Sequence, residues 1–271
     1  IRSLVYKEHP YQWPTLGKDI SHIQQAQMDE VKDFFFRFYA PNNAVLSVTG
    51  HISFEYTVAL AQKWFDDIPS RDVKPRCLPK EPEQHEYRLM EVERPVPVDA
   101  LYMAFPMCGR KDSDYFAYDM LSDILCNGKS SRLVQQLVRR TPLFSSIDAY
   151  ILGSEDPGLL QIIGKLLPGV SMEQAETAVF AELNQLSTEL IPESELDKVK
   201  NKFESAHIFA NLNYLNLATN LAYHEIVGRA EDINKEVALY RAITPQQIKD
   251  VASRTFVKEK ANVLYYRKKA K

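Results

Sequence analysis

The feature that most constrains this chain is a stretch that occurs twice. Residues 27–48 (QMDEVKDFFFRFYAPNNAVLSV) align without a gap on the stretch beginning at Thr244, and every pair lies 217 positions apart. Lys32/Lys249, Asp33/Asp250, Arg37/Arg254 and Ala44/Ala261 are identical, while Val31/Ile248, Tyr39/Phe256 and Leu46/Val263 match in type. Each copy reads as a helix, a turn and a strand. In the first, Glu30 follows Gln27 by three places and Val31, Phe34, Phe35 and Phe38 repeat at helical spacing, which predicts a helix over Gln27 to Tyr39. The aromatic run from Phe34 to Tyr39 reads as the core face of that amphipathic helix. Pro41-Asn42-Asn43 stops it, Ala44 to Thr49 reads as a strand ended by Gly50, and Ser53 caps a helix to about Asp66. In the second copy Thr244-Pro245-Gln246-Gln247 is a capping box with proline at the first helical position, leading to a helix ending near Phe256 and a strand over Ala261 to Tyr266.

A duplicated unit that closes two domain-sized stretches implies two repeats. Only the later copy has a full domain before it. Residues 86–271 are therefore expected to be a complete second repeat, 71–85 a Pro- and Lys-rich linker, and 1–70 the tail of a first repeat, of which roughly 130 residues would lie upstream.

Composition excludes other classes. The chain has 271 residues, 45% hydrophobic and 25% charged, which are globular proportions. A net charge of -3 argues against a nucleic-acid surface, and the basic tail Arg267 to Lys271 reads as a solvated end. Cys77, Cys108 and Cys126 show no C-x-x-C spacing and read as buried thiols. No apolar run approaches the ~20 residues of a membrane span. The first residue is Ile1, so the lack of a leader says nothing about compartment.

Within 86–271 the periodicities predict strands over Tyr87 to Glu93 and Asp99 to Phe105. Helices come next over Ser113 to Cys126, ended by Asn127-Gly128, and over Ser131 to Arg140. A strand pair covers Ser145 to Leu152 and Gly158 to Leu166, and Ser171-x-x-Gln174 opens another helix. From Pro192 the pattern is one long helix or two, broken at Asn211-Leu212-Asn213. The fold class is α+β, with an antiparallel sheet covered on one side by helices. Open strand edges would favour a homodimer.

His9 to Pro14 (HPYQWP), Phe38 to Ala44 (FYAPNNA), Val48-Thr49-Gly50 and Gly128 to Leu133 (GKSSRL) together resemble the insulinase/pitrilysin family of zinc metallopeptidases, and most the smaller bacterial members built from two homologous repeats around a chamber. In that family an H-x-x-E-H helix of the first repeat binds Zn²⁺ through both histidines, with a further Glu downstream. The six histidines here contain no i, i+4 pair. The resemblance thus implies that the zinc motif and its third ligand lie upstream of Ile1, and that this chain holds no metal and no catalytic residue. It places Asp119, Ser122 and Asp123 at the degenerate zinc-motif positions, with acids for imidazoles and Ser for the base. It places Val138 and Ser145 where many members carry a substrate-anchoring Arg and Tyr, Arg139 being one place away. Zinc would belong to the parent protein, the partners would be a peptide substrate and the missing first repeat, and the compartment is left open between bacterial cytoplasm and periplasm. A non-catalytic scaffold or partner subunit of a separate active peptidase is the alternative.

Other polar groups read plainly. Glu204-x-x-His207 and His224-Glu225 fit ordinary helix polar faces, and His9 and His51 beside turns fit backbone hydrogen bonds. Asp119 and Asp123 fit solvated carboxylates better than a hard-cation site. Gly128-Lys129-Ser130-Ser131 lacks the frame of a phosphate loop.

Overall fold

The computed structural model describes residues 1–75 and 77–269. In chain order these form helices α1 (Arg2–Val5), α2 (Ile20–Gln25), α3 (Met28–Phe38) and α4 (Phe54–Phe65), then strands β1 (Arg88–Arg94) and β2 (Ala100–Pro106). Helix α5 (Tyr115–Cys126) and a π-helix over Val134–Arg140 precede β3 (Phe144–Leu152) and β4 (Leu159–Leu166). Helices α6 (Met172–Thr188), α7 (Glu193–Ala210), α8 (Tyr214–Val227), α9 (Glu236–Ala242) and α10 (Pro245–Thr255) lead to β5 (Asn262–Lys268).

The helix ends obey their caps. Thr244 Oγ1 accepts from the Gln247 amide at 3.2 Å while the Gln247 side chain accepts from the Thr244 amide at 2.9 Å, a reciprocal box at the start of α10. Ser171 and Ser53 accept from the amides of Gln174 and Tyr56, opening α6 and α4. Asn213 caps α8 through the Asn216 amide at 3.1 Å, so the region after Pro192 is two helices, parted at 211–213.

Packing divides the chain into two compact units, neither contiguous in sequence. One comprises Ile1–Gln12, Lys80–Glu204 and Val237–Lys271; the other comprises Trp13–Pro79 and Ser205–Glu236.

The first unit is built on a five-stranded sheet in the order β1-β5-β2-β4-β3. Its pairs are antiparallel except β1, which runs parallel to β5. Alternate residues of β2 (Leu101, Met103, Phe105) point into one core with Leu160 and Ile162 of β4 and Val263 of β5. Helices α5, α6 and α10 cover that face through Leu121, Leu125, Val179, Leu183, Ile248 and Val251. On the opposite face Val5 and Tyr6 pack on Ala104 and Leu159. Glu81 fastens this N-terminal segment, its carboxylate accepting from the amides of Lys7, Glu8 and His9 at 2.7–3.0 Å.

The second unit holds α2, α3, α4 and α8. The expected helix after Gln27 is present, with the Gln27 amide donating to Glu30 at 2.9 Å. Its aromatic face is not a core, which corrects the expectation. Val31 and Phe34 are 55% and 51% exposed, whereas their counterparts Ile248 and Val251 on α10 are 0% and 1% exposed. The strand expected over Ala44 to Thr49 is also absent: the segment is unpaired. Its counterpart β5 is a strand because β1 and β2 hydrogen-bond to it from both sides. No described strand flanks 44–49.

The duplication is nevertheless as close in structure as in sequence. Met28–Phe38 and Pro245–Thr255 are separated by the same 217 positions at both ends, as are the 3-10 turns Pro41–Asn43 and Lys258–Lys260. Helices α2 and α9, which periodicity missed, lie at the same offset within one residue.

Two smaller expectations are corrected. Cys77 is exposed, in a Pro-rich stretch with no regular structure. Arg267 is not a solvated tail residue: it belongs to β5 and pairs with Glu91 at 3.0 Å, while Ala270 and Lys271 lie outside the described residues, as does Arg76 of the expected linker.

Candidate functional site

Helix α5, held between β3 and α10, carries Asp119, Ser122 and Asp123, the positions expected to be a degenerate zinc motif. Their side chains are committed to partners in the protein. Asp119 Oδ2 accepts from the Tyr240 hydroxyl, and the Tyr240 ring stacks on Phe203 with centroids 3.5 Å apart. Ser122 is buried and its hydroxyl donates back to the Asp119 carbonyl at 2.8 Å, the local bond short hydroxyls make inside helices. Asp123 Oδ1 accepts from the side-chain Nδ2 of Asn127 at 2.6 Å. Both acids are half-buried, which replaces the solvated reading. Burial pushes the Asp123 carboxyl above its ordinary value, against the Asn127 bond and the Lys202 charge, which pull it down.

Beyond Asp123 lies a shallow recess of about 180 Å³, bordered by Asn127, Gly128, Ser130, Lys198 and Lys202. Gly128 makes the turn that ends α5, at a φ of +107° that favours glycine. Lys202 Nζ donates to the Asn127 carbonyl at 3.0 Å and Lys198 Nζ to the Ser130 carbonyl at 3.2 Å. A divalent metal at this place would meet two ammonium groups, one half-buried carboxylate and no imidazole. The donor set does not fit zinc, and among the described residues no group of three or more His, Cys, Asp or Glu is placed to hold a metal.

The second pair of expected positions sits on two irregularities. Val138 lies in the π-helix and packs partly buried against the core of the first unit. Ser145 is exposed, its hydroxyl donating to the Lys165 carbonyl at 3.2 Å, at a shift of register between β3 and β4. A π turn and a bulge each add one residue to a regular element and re-aim the side chains beyond it. Arg139 and Arg140 are exposed at the end of the π-helix.

The remaining polar groups are structural. Glu204 pairs with Arg241. His207 Nδ1 and His224 Nε2 face the same Glu236 oxygen at 3.5 and 3.6 Å, an arrangement the spacing did not reveal because Glu236 comes from a different helix. His9 is buried, accepts from the Tyr11 amide at 3.2 Å and faces Asp156 at 3.5 Å. Burial pushes the Cys108 thiol up to about 12, helped by Asp112 and Asp114, and raises Cys126 further, so neither is a reactive thiolate.

Comparison with known proteins gives the family. Residues 25–203 fit the family described as the peptidase M16 inactive domain. The zinc protease PqqE of Helicobacter pylori is 30% identical over 198 residues, covering 72% of this chain and 44% of that protein. A solved protease from Helicobacter pylori superposes with a TM-score of 0.87 at 22% identity, over 98% of this chain and 65% of that one. The peptidase M16 inactive domain from Pseudomonas fluorescens does so with a TM-score of 0.85 at 17% identity, over 99% and 64%. The chain spans about half the length of the curated relatives it matches, between 44% and 62%. It belongs to the peptidase M16 family, that of the insulinases and pitrilysins, as an inactive domain.

Proposed function

We propose that this chain is the non-catalytic part of a zinc-dependent endopeptidase that degrades peptides in a chamber between two repeats, and that it forms the wall opposite the zinc site. In this reading 1–70 is the tail of the catalytic-type repeat, 71–85 a linker and 86–271 the second repeat. Zinc and the hydrolytic groups belong to the first repeat, where substrate would lie as an added strand on a sheet edge. The observation that carries the reading is α5: Asp119, Ser122 and Asp123 hydrogen-bond to Tyr240, to a helix carbonyl and to Asn127. Isothermal titration of the 271-residue chain with Zn²⁺, beside a chelator-controlled assay on an unfolded peptide, tests it. The expected result is no stoichiometric zinc and no hydrolysis. One bound zinc per chain, or chelator-sensitive cleavage, overturns it.

A second reading, a non-catalytic scaffold or partner subunit of a separate peptidase, is favoured by Val138 and Ser145. An aliphatic side chain on the core and a hydroxyl bonded to a strand carbonyl cannot anchor a peptide as Arg and Tyr would. The two readings part on whether the parent reading frame carries H-x-x-E-H ahead of residue 1.

A further inference from the structure

The recess beside α5 has a chemistry that the peptidase reading does not use. It lies wholly within the first unit, where the turn after α5 meets α7. Lys198 and Lys202 stand one helical turn apart on α7, so their ammonium groups share one side of the helix and repel each other. Both are bonded to neutral oxygens. Lys198 Nζ donates to the Ser130 carbonyl at 3.2 Å and to the Ser130 hydroxyl oxygen at 3.1 Å. Lys202 Nζ donates to the Asn127 carbonyl at 3.0 Å and to the Asn127 side-chain oxygen. An ammonium has three donors, so each keeps one, and Ser130, whose oxygen accepts from Lys198, keeps its hydroxyl proton to donate. The bond from Lys202 turns the amide nitrogen of Asn127 toward Asp123, where it meets Oδ1 at 2.6 Å. Among the described residues Asp123 Oδ2 has no hydrogen-bond partner. The walls are preformed: the Arg132 guanidinium forks onto both oxygens of Glu195 at 3.0 and 2.8 Å, each side chain 18% exposed, and ties the turn to α7.

We infer that this recess binds inorganic phosphate in a form that still carries a proton. Two ammonium groups and a hydroxyl offer three donors to a tetrahedral oxyanion, and lysine serves phosphate as a point charge without the planar fork that a carboxylate prefers. Asp123 then decides which oxyanion fits. Its free oxygen is an acceptor, so it rewards an anion that can donate a proton and repels one that cannot. At neutral pH inorganic phosphate keeps at least one hydroxyl, whereas sulfate keeps none. A phosphate monoester loses its last proton near pH 6 and meets Asp123 as sulfate does. Asp123 would thus be a specificity residue, and Lys198, Lys202 and Ser130 the groups that hold the anion. The donors are side chains of α7 and Ser130 and not a cradle of backbone amides, in keeping with the missing phosphate-loop frame at 128–131. Nothing in the site depends on zinc or on a peptide.

The test is titration of the 271-residue chain at low ionic strength and pH 7 with inorganic phosphate, with sulfate and with glycerol 3-phosphate, followed by calorimetry. The expected result is one phosphate per chain, bound on the order of tenfold more tightly than either of the other two. Lys198→Gln with Lys202→Gln should weaken phosphate by at least about tenfold. Asp123→Asn should erase the discrimination, with sulfate and the monoester rising to the affinity of phosphate. That variant keeps the bond to Asn127 available and reads a ratio of affinities, so a loss of stability in the double lysine variant does not blunt the test. Absence of saturable phosphate binding overturns the inference. So does equal affinity for phosphate and sulfate in the parent chain, a monoester that binds as tightly as phosphate, phosphate binding that survives the lysine substitutions, or discrimination that persists in Asp123→Asn.

Discussion

The two copies of the duplicated unit have the same helix length, the same turn and four identical residues, yet opposite surroundings. In α10 the apolar stripe Ile248, Val251 and Ala252 is sealed beneath α5 and α6. In α3 the matching stripe Val31, Phe34 and Phe35 faces solvent although it carries two aromatic rings where α10 has Val and Ala. Arg254 pairs with Asp114, whereas Arg37 lies over the face of Phe38, 5.1 Å from the ring centroid. The difference teaches that the sequence of such a unit specifies a helix and a strand-competent segment, but the strand itself forms where neighbouring strands bond it, as β1 and β2 bond β5. Burying one side chain of the Phe or Val class stabilises by ~1.5–3 kcal/mol, so the first copy forgoes several such contributions that the second one makes.

Mutations that contrast the copies should show the largest effect. Val251→Asp places a charge in the sealed core and is expected to destabilise the first unit by about 3–5 kcal/mol, as read from a denaturant midpoint. Phe34→Asp at the matching position should change that transition by less than about 0.5 kcal/mol. Equal effects would break the comparison.

A smaller effect is expected at Glu81. Its partial burial works against ionisation, but three backbone amides outweigh it and hold the carboxyl below its ordinary value of 4.5. The charged form therefore contributes stability above 4.5, and the contribution is lost as pH falls through the lowered value. Because the group is largely solvent-screened, Glu81→Gln should cost on the order of 1 kcal/mol or less. The readout is faster proteolysis within 1–12, seen in the parent only under acid.

Asp123 has the opposite sign. Burial raises its carboxyl above the ordinary 3.8, so ionisation opposes folding at neutral pH, and that penalty disappears as pH falls through the raised value. Asp123→Asn is expected to be neutral or stabilising by about 1 kcal/mol or less, measured as a shift in Tm. A marked loss of stability would mean that the carboxylate serves a partner other than Asn127 and Lys202.

The smallest effect is chemical. Among the three thiols Cys77 should react first with iodoacetamide near neutral pH, with Cys108 and Cys126 reacting only on unfolding.

How much was legible in the sequence depends on the same physics. Caps and breaks are local, so the starts of α6 and α10 and the division at 211–213 could be read directly from Ser171, Thr244 and Asn213. Helices α2 and α9 were missed because six and seven residues carry too little periodicity, although extending the duplication upstream pairs Asp19 with Glu236 and Ile20 with Val237. The parallel sense of β1, the π-helix and the Ser145 register shift depend on packing between distant segments. So does the exposure of α3, where a strong local pattern pointed to a core. At the site, the Asn127 partner of Asp123 is a local i, i+4 neighbour, whereas the Tyr240 partner of Asp119 lies 121 positions away and only the fold brings it across.

The most direct measurement is amide hydrogen exchange on the 271-residue chain alone, comparing 45–51 with 262–268. The account predicts that 262–268 are protected to the stability of the first unit while 45–51 exchange near the unstructured rate. Similar protection of the two segments at every protein concentration would contradict it, because the first copy would then be as well paired as the second.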